Sequence, residues 1–238
     1  MQVTILPALG DNYIYLLHDD GQAIVIDPGA ADPVHEVLQA HDLTLQAIWI
    51  THAHYDHVAG VPALKERTGA TVYGPPDRRL TPLDQAVEEG MEWPCGDATC
   101  TVWETPGHAD HDVSYLLCRP GKPAALFCGD TLFASGCGRI LDGSAAALWR
   151  SLQRIKELPD DTELYCGHEY TLENLRFACA ALPDRAIYRQ RLEQMQQRLA
   201  GGGYSVPTTV ADEKQANPFL QCASLDEFRT LRARKDRF

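Results

Sequence analysis

The sequence predicts a layered α/β domain followed by a smaller helical one. Three observations carry that reading: strand-like and helix-like segments alternate over residues 1–168, only helical periodicity follows from 169 to 238, and a dense His/Asp cluster stands at a strand end near residue 51. Short β-prone apolar runs occupy residues 3–6, 13–17, 23–26, 47–50, 71–73, 99–103, 113–118, 124–128 and 163–166, with turn-forming residues between them. Helix-like stretches at 33–40, 58–67 and 145–157 fall between some of these runs. Such alternation lets each helix bury its apolar stripe on a sheet face, which is the logic of α/β layers. Beyond His168, residues 172–182 and 186–199 read as helices, Gly201, Gly202 and Gly203 stop the second, and no strong strand is expected. Two later segments open with capping boxes, Thr209 with Asp212 and Ser224 with Glu227.

With 238 residues the chain is long enough to bury a sizeable core. A formal charge of −12 disfavours a nucleic-acid partner, because phosphate neutralisation needs a basic face. The C-terminus breaks that trend, with Arg229, Arg232, Arg234, Lys235 and Arg237 set against the single acid Asp236. No apolar run approaches the roughly 20 residues of a membrane span, and the start of the sequence shows no secretory pattern. A cytoplasmic protein without a membrane partner is the expectation. The eight cysteines lack C-x-x-C spacing and read as reduced thiols, with Cys118, Cys128 and Cys166 as small core residues at strand ends.

His52, His54, Asp56 and His57 place four donors within six positions on a turn between a strand and a helix-like stretch. That spacing points to metal, and four donors on one turn suit two adjacent ions better than one. Three further segments put a donor directly after a glycine just beyond a strand: His108 after Gly107, Asp130 after Gly129, and His168 after Gly167. Together they make seven donors, five imidazoles and two carboxylates, too many for one tetrahedral zinc and suited to two ions sharing a carboxylate. Thiolate is absent from the set, so the chemistry reads as hydrolytic rather than architectural, and mixed N/O ligands admit zinc, iron or manganese. Of the other histidines, His18, His35 and His41 read as turn or helix residues, and His111 as a possible support for His108.

The motifs T-H-x-H-x-D-H at 51–57, P-G-H at 106–108, G-D at 129–130 and G-H at 167–168 resemble the metallo-β-lactamase superfamily. Within it the chain is most similar to the glyoxalase II family, the hydroxyacylglutathione hydrolases, through segments near residues 6–13, 129–133, 136–138, 166–171, 217–219 and 232–236. The resemblance implies a four-layer αββα sandwich over residues 1–168 and a helical substrate-binding domain over 169–238. It implies one metal on His52, His54 and His108, a second on Asp56, His57 and His168, and Asp130 as the bridge. A hydroxide bridging the two divalent metals, zinc by preference, and held by Asp56 and Asp130 would attack the thioester of S-D-lactoylglutathione. Arg139, Tyr170, Arg232 and Lys235 match the glutathione-contacting positions, which gives the basic terminus a purpose. Two departures stand out: Leu141 replaces a common aromatic residue two positions after Arg139, and Ala109 to Asp112 reads Ala-Asp-His-Asp where Gly-His is more usual at the last two.

A glutathione thioester hydrolase acting as a monomer is therefore expected. The main rival is a mono-iron glutathione persulfide dioxygenase of the same fold, which would leave the second ligand set unused. A zinc β-lactamase fits less well, because its closest subclass has Cys where Asp130 stands.

Overall fold

The computed structural model describes residues 1–238, which divide into two compact units. The first comprises Met1–Glu104 with His111–Lys122, and the second Thr105–Asp110 with Pro123–Phe238.

The first unit runs β1 (Gln2–Ala8), β2 (Asn12–Asp19), β3 (Gln22–Ile26), α1 (Asp32–Ala40), β4 (Thr44–Trp49), α2 (Tyr55–Val58), α3 (Val61–Thr68), β5 (Thr71–Gly74), β6 (Gln85–Ala86), β7 (Glu92–Cys95), β8 (Ala98–Glu104) and β9 (Val113–Cys118). Strands β1 to β6 form one mixed sheet in sequence order. The β1–β2–β3 meander is antiparallel, and the β3–β4 and β4–β5 pairs are parallel. These two parallel steps cross over through helices, whereas β6 joins β5 in parallel after a loop without one. Helix α1 points Val34 and Leu38, one turn apart, into a core shared with Leu16, Val25, Ile48, Leu64 and Val72. Successive strand residues face opposite ways, so Trp49, next to Ile48, lies on the other side. There it stacks on Tyr115 of β9 at 5.0 Å and meets Trp93 of β7 at 5.5 Å. Strands β7, β8 and β9 form an antiparallel ladder over this aromatic layer, and the Tyr115 hydroxyl donates to the Ile50 carbonyl at 2.9 Å.

The helix expected over 58–67 is two pieces. Pro62 has no N–H for the Val58 carbonyl, so the chain closes the short α2 and restarts at Val61 with proline in the first turn of α3. As a result Asp56 and His57 lie on α2 rather than on an open turn. Cys118 is exposed, contrary to its expected place in the core: it ends β9 with its side chain on the open face. Cys128 and Cys166 are buried, and all eight thiols are free.

The second unit runs β10 (Ala125–Gly129), β11 (Leu132–Phe133), β12 (Gly136–Cys137), α4 (Ala145–Lys156), β13 (Glu163–Cys166), α5 (Thr171–Ala181), α6 (Ala186–Ala200), β14 (Thr208–Thr209), α7 (Val210–Ala216) and α8 (Leu225–Lys235). Strand β13 pairs parallel with β10 and antiparallel with β14, a two-residue strand that the helical pattern after His168 conceals. Strands β11 and β12 make a small hairpin of their own. Helices α5 and α6 share a separate core of Leu175, Ala178, Tyr188 and Met195. Both expected caps form: Thr209 Oγ accepts from the Asp212 N–H at 3.1 Å and Ser224 Oγ from the Glu227 N–H at 3.3 Å. The Glu227 carboxylate reaches one residue further back than a capping box requires, to the Ala223 N–H at 2.8 Å. No helix is long and apolar enough to cross a membrane.

Candidate metal centre

In the first unit the donors sit where β4 ends. His52 and His57 are buried, His54 and Asp56 half-buried, and the His52 ring lies 4.1 Å from that of His57 and 4.6 Å from that of His54, centroid to centroid. Asp56 Oδ2 is 3.6 Å from His57 Nε2 and accepts from the Asn12 side-chain amide at 3.0 Å. Close backbone approach is needed here: a Cβ on Gly29 would stand 1.8 Å from the Asp56 carbonyl oxygen, so only glycine fits.

Behind these groups lies Asp27, which sequence reasoning missed. It follows β3 in a left-handed conformation, φ 49°, and only 4 % of it is exposed. Its carboxylate accepts from the Thr51 N–H at 2.7 Å, the Thr51 hydroxyl at 2.6 Å and His57 Nδ1 at 3.0 Å. Asp27, His52 and His57 could by proximity form a metal trio of their own. The three bonds already made by the carboxylate favour an orienting role instead. Since the one hydroxyl proton of Thr51 goes to Asp27, its oxygen accepts from His52 Nδ1 at 3.0 Å. Both imidazoles are thereby held as tautomers whose lone pair is on Nε2, the usual arrangement behind metal-binding histidines. Replacing Asp27 with Ala is expected to weaken metal affinity by about 10–100-fold, the usual cost of losing such a partner, measurable by chelator competition. Unchanged affinity would remove Asp27 from this role.

In the second unit Asp130, His108 and His168 converge. Asp130 Oδ2 lies 3.5 Å from His108 Nε2 and 3.4 Å from His168 Nε2, and all three residues are buried. Two ligand atoms each about 2.1 Å from one ion at a tetrahedral angle are about 3.4 Å apart. These spacings, and the 3.6 Å between Asp56 and His57, are long for hydrogen bonds and match the separation of two ligands on one ion. His108 Nδ1 donates to the Arg139 carbonyl at 2.8 Å, which again assigns the lone pair to Nε2. The donor set of neutral imidazoles and carboxylates fits divalent metal.

The other expected residues are also placed. Tyr170, half-buried, stacks on His168 at 4.8 Å with the rings 4° from parallel. Arg139 is exposed, and Leu141, 59 % exposed, gives its N–H to the His108 carbonyl at 3.0 Å. Arg232 and Lys235 are not an open cationic surface, being only 3 % and 9 % exposed. The Arg232 guanidinium donates to the Cys137 carbonyl at 3.0 Å, pairs with Asp236 at 3.0 Å and lies 5.1 Å from the Phe219 ring centre. Lys235 pairs with Glu173 at 2.5 Å, close to the rings of Phe177 and Phe238. His111 is exposed and near enough to Asp77 to help lower its pKa, behind the larger effect of the Arg79 hydrogen bond.

Strand ends carrying His and Asp are the mark of the metallo-β-lactamase class, and residues 8–168 match the model of the metallo-beta-lactamase superfamily. Residues 169–238 match that of the hydroxyacylglutathione hydrolase C-terminus. A hydroxyacylglutathione hydrolase of Pseudomonas aeruginosa (strain LESB58) is 43 % identical over 224 residues, covering 93 % of this chain and 86 % of that one. Another, of Chromohalobacter salexigens, is 40 % identical over 257 residues and is covered in full, as is this chain. Among solved structures, ETHE1 from Myxococcus xanthus superposes with a TM-score of 0.74 at 32 % identity, over 98 % of this chain and 90 % of that one. The chain belongs to the hydroxyacylglutathione hydrolase family of the metallo-β-lactamase superfamily.

Proposed function

We propose that the protein hydrolyses S-D-lactoylglutathione and related 2-hydroxyacylglutathione thioesters to the hydroxy acid and glutathione, with residues 1–168 as catalytic domain and 169–238 as substrate-binding domain. Supporting this are the full-length likeness to hydroxyacylglutathione hydrolases and, above all, one carboxylate oxygen of Asp130 standing 3.4–3.5 Å from the Nε2 atoms of both His108 and His168. In the proposed assignment His52, His54 and His108 hold one ion, Asp56, His57 and His168 hold another, and Asp130 belongs to both. Two divalent ions, zinc by preference, would supply Lewis acidity and a water acidified to near pH 7.

The chain's own residues orient and exclude. Asp27, Thr51 and the Arg139 carbonyl fix three imidazole tautomers. The cysteines on β10 and β12 are poor nucleophiles: burial pushes the Cys128 thiol up to about 12 and Cys137 up to about 11. The leaving thiolate is that of an ordinary thiol of pKa about 8.5, so its departure needs no strong general acid. We assign the glutathione portion to Arg139, Tyr170, Arg232 and Lys235. Arg139 and Tyr170 offer accessible groups, whereas Arg232 and Lys235 act from behind the surface.

The test is a panel of acyl-glutathiones assayed alongside elemental analysis. Turnover of S-D-lactoylglutathione with two metals per chain is expected. One iron per chain, with oxygen consumed on glutathione persulfide and no thioester cleaved, would replace this reading with the dioxygenase.

A further inference from the structure

We propose that Glu213 and Asn217, the first on α7 and the second at its C-terminal end, are positioning residues for Asp130, His108 and His168, acting through the β11–β12 hairpin. The inference rests on the ligand assignment above and extends it to side chains some 80 positions away in sequence.

The hairpin is too small to hold itself. It pairs only Leu132 with Cys137 and Phe133 with Gly136, and a short isolated hairpin is at best marginal in water. Its backbone is instead bound by side chains from the helical segments. Glu213 accepts the Ser135 N–H at 2.7 Å, at the turn where Ser135 takes φ 57°. The Asn217 amide donates to the carbonyls of Gly136 at 2.8 Å and Phe133 at 3.3 Å and to Glu213 at 2.9 Å, while its oxygen accepts the Phe219 N–H at 3.0 Å. Asn174 donates to the Ala134 carbonyl at 3.3 Å and Arg232 to that of Cys137. Glu213 is 1 % exposed and burial pushes its carboxyl upward, opposed by the donors of Thr208, Asn217 and Ser135. An ionisable group placed so deep is costly unless its bonds are made, and here one of them fixes the hairpin turn at Ser135 and another comes from Asn217, which holds the same hairpin.

The hairpin and the residues that flank it lie against each proposed metal ligand of the unit. Asp130 lies two residues before β11. At the other end of the hairpin, a Cβ on Gly138 would stand 2.0 Å from the Asp130 carbonyl oxygen and 3.1 Å from His108 Nδ1, so the chain passes directly against both. The next residue, Arg139, provides the carbonyl that orients His108. The Phe133 ring meets His168 edge-on at 5.9 Å. A shift of the hairpin would therefore move or turn all three ligands together.

Glu213→Gln keeps the volume of the side chain but sets an amide among donors, and Asn217→Ala removes the clamp. Each variant, stripped of metal, would be titrated with zinc against a chromophoric chelator well below its unfolding temperature, and loaded with Co(II) for its visible spectrum. Zinc affinity is expected to fall by about 10–100-fold, as for other groups that orient metal ligands, and the Co(II) bands to shift. Met195→Ala serves as the reference: it loosens the separate α5–α6 core, and is expected to lower the unfolding temperature without altering either readout. Zinc affinity equal to the parent's in both variants, or an equal loss in Met195→Ala, would overturn the proposal. Should Asn217→Ala not fold, Glu213→Gln decides alone. A parent chain that binds zinc tightly but cleaves no thioester would sink the proposed activity and leave these titrations just as informative.

Discussion

Asp130→Ala is expected to lower kcat/KM for the glutathione thioester by about a thousandfold or more and to reduce the bound metal below two ions per chain. The size follows from what the carboxylate holds. Its Oδ2 stands 3.5 Å from His108 Nε2 and 3.4 Å from His168 Nε2, one residue from each of the two proposed ligand sets. In the proposed assignment its loss would take one ligand from each of two ions and with it metal-derived stabilisation of about 4 kcal/mol or more, at about 1.4 kcal/mol per tenfold in rate. Asp130→Asn makes the sharper variant, since it keeps the shape while surrendering the charge that a shared carboxylate needs. Elemental analysis after gel filtration and steady-state kinetics decide the matter. Full occupancy by two ions in either variant, with the rate preserved, would show that Asp130 bridges nothing.

The alternation of strands and helices was legible because each element faces one layer, and burial then imposes its period on the sequence. Runs such as residues 13–17 and 113–118 fell within the observed β2 and β9 to a residue or two. What escaped were β7, whose apolar run is masked by Glu92 and Pro94, and strands too short to carry a period, Gln85–Ala86 among them. Leu132–Phe133, Gly136–Cys137 and Thr208–Thr209 are two residues each, and their position is set by partners distant in sequence. The site divides in the same way. Histidines and aspartates clustered at strand ends are conspicuous, so seven candidates stood out, and three of them, His108, Asp130 and His168, converge within their unit. Asp27 and Asn12 lie far from the cluster in sequence, and nothing in their spacing says that they hold His57 and Asp56. Glu213 looked like any acidic residue in a helix. The basic terminus was legible as charge but not as burial: helical geometry turns Arg232 and Lys235 inward, three residues apart on one face of α8, while Arg229, Arg234 and Arg237 face out.

Arg232→Ala is for that reason expected to act on stability as well as on substrate affinity. The Arg232 guanidinium bonds the Cys137 carbonyl at 3.0 Å and Asp236 at 3.0 Å in a pocket where it is 3 % exposed, so truncation leaves a buried carbonyl without its charged donor. Such a loss costs about 2–3 kcal/mol, and at about 2–4 °C per kcal/mol for a chain of this size the unfolding temperature should fall by about 5–10 °C. Because Cys137 belongs to the hairpin between Asp130 and Arg139, kcat should fall together with the rise in KM. Lys235→Ala should behave differently. Its ammonium is satisfied by Glu173, a carboxylate 60 % exposed and screened by solvent, so KM should rise with a smaller change in stability. Arg232→Lys separates the two roles at position 232, since lysine keeps the charge but not the planar fork that reaches carbonyl and carboxylate together. If charge toward glutathione is all that matters, Arg232→Lys restores KM and the unfolding temperature never moved. If the clamp on the hairpin matters, the unfolding temperature and kcat stay low in both variants, and a thermal melt beside a KM-against-kcat comparison tells one from the other.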